Sequence, residues 1–181
     1  ALSELIQETA DEIRYLESVS NSLDIALSEA DLGQIKEELT ASGYVRRKFT
    51  KKKVKLTNKP MHYISSDGYD IYVGKNNIQN DELTFSFANG GDWWFHAKGA
   101  PGSHVIVKTN GDELPDRTFE EAGRLAAYYS KNRGSDKVEI DYIEKKHVKK
   151  PNGAKPGFVV YYTNYSLVID SDISNIKVVQ D

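Results

Sequence analysis

The chain has 181 residues, of which 39% are hydrophobic, 28% charged and 10% aromatic, and it carries a formal net charge of −3. This composition is typical of a globular protein large enough for one packed domain with an appendage. The sequence contains no cysteine, which excludes disulfides and thiolate chemistry. It has neither a recognisable signal peptide nor a run of about 18 apolar residues of the kind that spans a membrane.

The charge is distributed unevenly along the chain. Residues 1–43 carry ten acidic and two basic side chains, whereas residues 44–59 carry eight basic and no acidic ones. The remaining residues have a net charge of −3. A concentrated basic segment attracts polyanions through its local field even when the whole protein is slightly acidic.

Residues 1–41 show apolar side chains at helical spacing, with acidic residues between them. Ser28 or Asp31 is placed to cap a second helix, and Gly43 is placed to end it. Two interpretations remain open: a pair of ordinary surface helices, or the returning arm of a helical hairpin whose other arm lies upstream. The chain begins at Ala1 within the helical pattern, which favours the second interpretation and a piece of a longer protein. A long helix with so narrow an apolar stripe needs a partner helix.

These patterns predict three segments. The helical arm covers residues 1–43, a basic connector covers residues 44–59, and an α+β domain covers residues 60–181. In that domain, alternating apolar and polar stretches predict a mostly antiparallel sheet, with Asp67-Gly68 as the first hairpin turn and one main covering helix. The stretches that predict strands are MHYISS, YDIYVG, DWWFHA, SHVIVKT, KVEIDYIE, GFVVYYTN and YSLVIDS.

Cap signals mark the two helices of the domain. A short helix is expected before the tryptophan motif, with Asn80 or Asp81 as its cap. The main helix is predicted over residues 117–131. Thr118 and Glu121 have the spacing of a capping box at its start.

The stretch DWWFHAKGAPGSHVIVKT, residues 92–109, concentrates the chemically useful side chains. Asp92 and His96 share one face of the predicted strand and His104 lies across the turn, so a metal triad is conceivable. Ser103 beside His104 does not make a catalytic pair, because adjacent strand residues point to opposite faces and the GxSxG motif is missing. We therefore predict no metal, no cofactor and no enzymatic activity. Asp92 is instead expected to orient His96.

Basic clusters and aromatic side chains favour a nucleic-acid partner. The clusters cover residues 46–59 and 145–155. Lysine and arginine side chains neutralise phosphates, and exposed aromatic rings stack on unpaired bases. Trp93 and Trp94 are neighbours in a strand, so one is expected in the core and the other in a binding surface. The aromatic residues considered for stacking are Trp93, Trp94, Tyr142, Phe158, Tyr161 and Tyr162.

Four motifs occur in order over about residues 60–165: VGKNNIQNDELTF, DWWFHAKGAPGSHVIV, AAYYSK and VKKPNGAKPGFVVY. Together they resemble the NFACT-R domain, found at the C-terminal end of bacterial RqcH proteins, also called fibronectin-binding protein A, and in eukaryotic NEMF-type factors. The preceding helices and basic connector resemble the second half of that family's coiled-coil arm and its entry into the domain.

The resemblance implies a role in ribosome-associated quality control in the cytoplasm. Such proteins recognise a stalled large ribosomal subunit that still holds peptidyl-tRNA, bind tRNA, and promote template-free alanine tailing of the nascent chain. Their coiled-coil arm reaches across the ribosome, and their R domain is regarded as RNA-binding. The implied partners are the large ribosomal subunit and tRNA, and the bond-making belongs to the ribosome.

The same family carries a second function, an adhesin that binds fibronectin or fibrinogen at the cell surface. The sequence gives that alternative little direct support, because it has no secretion signal, cell-wall motif or repeat. The alternative stays open as an expectation from the resemblance.

The expected nucleic-acid interface combines four groups of residues. Two are the basic clusters, the third is a pair of asparagines able to bond base edges or simply to form a turn, and the fourth is the set of polar and aromatic positions that the resemblance assigns to the binding surface. Gly99, Pro101 and Gly102 are expected to fix the turn. The interface residues are Arg46, Arg47, Lys48, Lys51, Lys52, Lys53, Lys55, Asn76, Asn77, Asp92, Trp94, His96, Lys98, Ser103, His104, Lys145, Lys146, Lys149, Lys150 and Lys155.

Overall fold

A computed structural model describes residues 1–48 and 58–180. Two helices, α1 (Leu2–Ile25) and α2 (Glu29–Ala41), precede a seven-stranded sheet. Helix α3 (Asn77–Glu82) runs into a π-helical turn, Leu83–Phe87, helix α4 spans Asp116–Tyr128, and a 3-10 turn spans Lys145–His147. The strands are β1 (Met61–Ile64), β2 (Asp70–Val73), β3 (Trp93–Ala97), β4 (Val105–Val107), β5 (Val138–Glu144), β6 (Tyr165–Ile169) and β7 (Lys177–Val178).

The sheet has the order β6-β5-β3-β4-β2-β1-β7, and every pairing in it is antiparallel. Helix α4 packs on one face of it. The α+β prediction is therefore confirmed. Within residues 1–48 and 58–180, no helix is both long enough and apolar enough to cross a membrane.

Strand alternation divides the apolar side chains between two cores. On the α4 face, Phe95 belongs to the larger core and Trp93 packs edge-on against Phe119 at 5.0 Å between ring centroids. On the other face, Trp94 is fully buried in a smaller core with Ile106. The two tryptophans thus lie on opposite faces, as the alternation predicts, but each of them packs into a core.

The structure differs from the prediction at the start of the main helix. Helix α4 starts at Asp116 after Pro115, and the two expected box residues serve the β1–β2 loop instead. Thr118 Oγ1 donates to Asp67 Oδ2 at 3.0 Å, and the Glu121 carboxylate accepts from the Ser66 amide at 3.1 Å. The capping-box prediction was wrong because Thr118 and Glu121 form hydrogen bonds with this loop instead of with the first backbone amides of α4.

Two further local predictions differ from the structure. Helix α3 is capped by Asn76, whose side chain accepts from the Gln79 amide at 2.9 Å, so the expected caps Asn80 and Asp81 were wrong. The stretch GFVVYYTN makes one isolated antiparallel bridge, between Lys149 and Val160, instead of a full strand. Its backbone turns sharply at Gly157, where φ is +81°.

Helix α2 of the arm begins and ends where its cap signals predict. Ser28 Oγ accepts from the Asp31 amide at 3.1 Å, and Asp31 Oδ2 accepts from the Leu27 amide at 3.0 Å. Gly43 has a φ of +84° just beyond α2, where a side chain would be strained. Tyr15 packs with Val19 and Ile35 to hold α1 and α2 together.

The arm is joined to the domain by buried contacts. Ile25 enters the larger core, and Asn21 Nδ2 donates to the Tyr129 carbonyl at 3.1 Å. A separate apolar stripe of α1 is exposed, at positions spaced by three, four or seven residues. Its members are Leu2, Ile6, Ile13, Leu16 and Leu23. The division at residues 1–43, 44–59 and 60–181 stays a prediction.

Candidate nucleic-acid interface

Asp92 is buried and forms its hydrogen bonds with residues near the ends of β3 and β4, not with His96. Its Oδ2 accepts from Lys108 Nζ at 2.5 Å and from the Asn89 amide at 2.8 Å, and its Oδ1 accepts from the Thr109 amide at 3.1 Å. Both carboxylate oxygens are engaged by these partners, so the prediction that Asp92 orients His96 was wrong. The physical reason is that Lys108, just beyond β4, lies next to the start of β3.

His104 is buried just before β4 and connects this part of the chain to α3, the π-helical turn and the 151–158 loop through hydrogen bonds. Its backbone amide donates to Asn80 Oδ1 at 3.1 Å, its Nδ1 lies 2.8 Å from Thr84 Oγ1, and its Nε2 lies 3.1 Å from the Gly157 carbonyl oxygen. Burial lowers the pKa of His104 to about 3, with His96 and Lys150 adding to the effect. The neutral ring therefore donates from Nε2 to Gly157 and accepts at Nδ1 from Thr84.

His96 lies half-buried beside it. Its ring stacks on Trp94 with centroids 5.6 Å apart and meets His104 edge-on at 5.8 Å. Burial lowers its pKa, and the nearby Asp141 carboxylate opposes that shift. No group of three or more His, Cys, Asp or Glu side chains suited to a metal occurs within residues 1–48 and 58–180. The structure therefore does not assemble the conceivable triad with Asp92.

The two asparagines hold the helical arm instead of facing solvent. Asn76 Nδ2 donates to Gln34 Oε1 at 2.8 Å. The Asn77 amide donates to Glu38 Oε1 at 3.0 Å, and its Nδ2 donates to Glu38 Oε2 at 3.2 Å. Both asparagines and Glu38 are almost completely buried. Their side chains are engaged in positioning α2 against α3.

Burial therefore removes part of the expected interface from the surface. These side chains contact protein atoms or pack in a core and are closed to RNA in this conformation. Sequence reasoning took the motif's polar positions for a contact surface, whereas most of them fix the fold around it. The buried members are Asn76, Asn77, Asp92, Trp94, Ser103 and His104.

Lys150 is also structural. Its ammonium forms a salt bridge with Asp81 at 3.1 Å and donates to the carbonyl oxygens of Lys155 at 2.7 Å and Phe158 at 3.0 Å. All three ammonium hydrogens thus have protein partners. Lys150 fastens the loop of residues 151–158 to α3, which corrects its assignment as a phosphate contact.

An exposed strip of lysines and aromatic rings lies beside that loop. Lys149 exchanges two backbone hydrogen bonds of 2.9 Å with Val160, and alternation from Val160 turns Phe158 and Tyr162 outward. The exposed fractions of these two rings are 44% and 79%. Three lysines that precede these rings in the chain are exposed. We define the lysine–aromatic strip as Lys146, Lys149, Lys155, Phe158 and Tyr162.

The other predicted cations have separate positions. Lys98 is exposed and forms a salt bridge with Glu139 at 3.1 Å, and Lys145 Nζ lies 6.0 Å from the centroid of the Phe85 ring. At the end of the arm, the basic side chains 46–48 are exposed. The remaining predicted cations lie outside the described residues. These are Lys51, Lys52, Lys53 and Lys55.

A cleft of about 1030 Å³ separates α1 from the domain. The acidic side of α1 forms one wall, and the loops 99–102 and 151–158 form the other. Trp94, His96 and Tyr161 are among the residues at its base. Sequence reasoning missed this cleft, because the acidic positions of α1 gave the pattern of an ordinary solvated helix face.

Outward aromatic rings beside exposed lysines on an antiparallel α+β domain are surface features that RNA-binding modules use. Residues 59–163 match the family model described as the NFACT protein RNA binding domain, and residues 1–58 match that of the NFACT N-terminal and middle domains. The chain belongs to the NFACT family, as its motifs indicate.

Named relatives agree with this assignment. The chain is 46% identical to the Rqc2 homolog RqcH of Streptococcus suis and 40% identical to that of Bacillus subtilis, over 97% of its length in each case. It spans only 32% and 31% of those proteins. It is also 37% identical over 81 residues to the human ribosome quality control complex subunit NEMF, covering 44% of this chain and 7% of that protein.

A solved structure has the same fold. The C-terminal part of the fibronectin/fibrinogen-binding protein from Streptococcus suis matches with a TM-score of 0.90 and 44% identity. The match covers 97% of this chain and 71% of that chain.

Proposed function

We propose that this chain is the RNA-binding C-terminal portion of a ribosome-associated quality-control factor, and that the lysine–aromatic strip contacts the RNA. The single observation that carries the proposal is the outward pair Phe158 and Tyr162, exposed among Lys146, Lys149 and Lys155 in an NFACT RNA-binding domain.

The strip has the two components that bind unpaired RNA. Each lysine that meets a phosphate releases counterions, so affinity falls steeply as salt rises. Each ring that stacks on a base contributes about 1–3 kcal/mol with little sequence preference. The strip therefore suits looped or single-stranded segments of tRNA or ribosomal RNA better than a regular duplex. The basic residues at the end of the arm, Arg46, Arg47 and Lys48, extend the phosphate contacts.

In the longer protein, this portion would bind the stalled large ribosomal subunit and its tRNA in the cytoplasm and support alanine tailing. The names of the relatives, which refer to ribosome quality control, support that role. The chain would supply position and the ribosome would supply peptidyl transfer, so we propose no enzymatic activity for it. The ring of His104 is neutral and both of its nitrogens form hydrogen bonds within the protein, which suits a structural role better than proton transfer.

The test is a titration of a fluorescent tRNA with the 181-residue chain at several salt concentrations. Affinity should fall steeply between about 50 and 200 mM salt, and the K146A/K149A double variant should lower the log–log salt slope by about 1 to 2. The control is K36A/K137A, which removes two exposed lysines elsewhere. Equal slopes for the two double variants would remove the strip from the interface.

The second candidate is binding of fibronectin or fibrinogen. It is favoured by the similarity to the Streptococcus suis protein, whose name states that function. It predicts saturable binding to immobilised fibronectin that survives nuclease treatment. Binding that disappears with nuclease would assign the signal to RNA instead.

A further inference from the structure

The cleft between α1 and the domain has a charge opposite to that of the lysine–aromatic strip. Its α1 wall carries four acidic side chains against Arg14, and Lys155 is the cation on the facing loop. Two of these acids, Glu8 and Glu17, are exposed and form no ion pair or hydrogen bond with another of the described residues. The four acidic residues are Glu8, Asp11, Glu12 and Glu17.

The facing wall is formed by backbone-rich loops. It includes Gly99, where φ is +64°, and Gly153, where φ is +73°. Open space surrounds the position that a Cβ atom would take at either glycine. A second chain can therefore approach the backbone amides and carbonyls of this wall closely.

The base of the cleft is aromatic and contains an unused donor. Trp94 lines it together with Tyr161, whose ring centroid lies 4.9 Å from that of Trp94. Trp94 Nε1 is buried and has no hydrogen-bond partner among the described residues. Buried donors are normally paired, so an unpaired indole N–H at the base of a cleft points to an acceptor that the chain itself does not supply. The half-buried ring of His96 is stacked on Trp94 and also lines the cleft.

We propose that this cleft binds an extended, cationic polypeptide segment. Lysine or arginine side chains of the segment pair with Glu8 and Glu17, and a backbone carbonyl oxygen accepts from Trp94 Nε1. Aromatic-lined grooves bind extended peptide segments, and an acidic rim attracts basic side chains through charge complementarity. Lys155 and Phe158 belong both to the cleft and to the proposed RNA surface, but the acidic wall and Trp94 belong to the cleft alone, so the two proposals are tested on different residues.

RNA is the less favoured occupant because its phosphates would face four carboxylates. Like charges held at one surface are repelled, and the four acidic residues of α1 outnumber the cations that line the cleft, Arg14 and Lys155. Lys155 and Phe158 are shared by the strip and the cleft, and the ammonium of Lys155 lies 5.4 Å from the centroid of the Tyr15 ring.

The test uses fluorescence anisotropy with the 181-residue chain and a labelled peptide of Lys-Pro-Ala repeats. About nine residues suffice, since they span roughly 30 Å when extended. The E8Q/E17Q variant should weaken peptide binding by roughly three- to tenfold, the loss expected for two exposed charge pairs. The matched control E37Q/E120Q removes the same charge at exposed positions outside the cleft and should leave binding unchanged. W94F, which keeps a ring but removes the N–H, should also weaken binding.

Three results would overturn the proposal. The first is equal affinity for the lysine peptide and a Glu-Pro-Ala peptide of the same length. The second is equal binding by E8Q/E17Q and E37Q/E120Q. The third is an oligouridine that binds E8Q/E17Q more tightly than the unchanged chain while peptide binding is unaffected, which would make RNA the occupant. Loss of tRNA binding in K146A/K149A has no bearing on any of these results, so the two proposals fail separately.

Discussion

The Nε2 atom of His104 lies 3.1 Å from the carbonyl oxygen of Gly157 and joins two parts of the chain that are 53 residues apart. With Lys150 on the other side, it fixes the 151–158 loop against the sheet. That loop supplies Lys155 and Phe158 to the strip and also forms one wall of the cleft. The histidine therefore positions both candidate surfaces without being exposed at either.

The buried His104 predicts a loss of stability in mild acid. The pKa of His104 is lowered from 6.5 to about 3, so the folded protein keeps the ring neutral while the unfolded chain binds a proton. Stability is then fully present above pH 6.5 and declines as pH falls toward 3. The free energy of unfolding should drop by about 2 kcal/mol between roughly pH 7 and pH 5 from this group. Urea unfolding at the two pH values measures it.

The H104Q variant serves as the control, because glutamine does not titrate. Its pH dependence should be smaller than that of the unchanged protein by about 2 kcal/mol over the same interval. Other titrating groups, including the half-buried His96 with its own lowered pKa, contribute to both proteins and cancel in the difference. Equal pH dependence in the two proteins would show that His104 is not held neutral in the fold.

Adjacent lysines should separate stability from RNA binding. Replacing Lys150 with methionine removes the cation paired with Asp81 and the donor to two loop carbonyls, which should cost about 2–4 kcal/mol. Replacing the exposed Lys149 with alanine should change stability by less than about 0.5 kcal/mol but weaken tRNA binding. Urea unfolding and a tRNA titration on both variants test this pair. Equal stability of K149A and K150M would contradict the structural role of Lys150.

The two neighbouring tryptophans should differ in their effect on stability. Trp94 is fully buried, so Trp94→Ala should cost about 3–5 kcal/mol or prevent folding. Trp93 is only partly buried at the edge of the larger core, and Trp93→Ala should cost less. Thermal unfolding of the two alanine variants compares their stabilities, and Trp94→Phe, which keeps an aromatic ring at the buried position, serves as the reference. A larger loss for Trp93→Ala would contradict the deeper burial of Trp94.

The general fold followed from local patterns in the sequence. Alternation and turn signals predicted an antiparallel α+β domain, and the cap signal at Ser28 predicted the start of α2. These features depend on residues close in sequence, whose side chains meet within one or two turns. The opposite faces of Trp93 and Trp94 followed in the same way, because strand geometry fixes them.

The roles within the site could not be predicted, because they depend on contacts between distant residues. Lys150 and Asp81 are 69 residues apart, and a lysine in a basic cluster looks like a phosphate contact until that partner is known. Asn77 and Glu38 are 39 residues apart and belong to different elements. Burial changes the meaning of a polar residue, and no local pattern signals burial of a hydrophilic stretch such as residues 74–81.

The hydrogen bonds between Glu38 and Asn77 should control how the arm is held. Glu38 is buried and accepts from Tyr15 Oη at 2.7 Å as well as from Asn77. Asn77→Ala removes the Nδ2 donor to the buried carboxylate and keeps the backbone amide donor. The loss should cost about 1–3 kcal/mol, and hydrogen exchange in α2 should accelerate more than in β3 and β5.

A double-mutant cycle with Glu38→Gln tests whether these two residues act as a pair. If they do, the cost of the double variant should fall short of the summed single costs by about 0.5–3 kcal/mol. Lys131→Ala is the comparison, since its exposed salt bridge with Asp24 also joins arm to domain but should cost less than about 1 kcal/mol. Additive costs for Glu38 and Asn77, with unchanged exchange in α2, would mean that other contacts hold the arm, among them Ile25 in the larger core and the hydrogen bond from Asn21 to Tyr129.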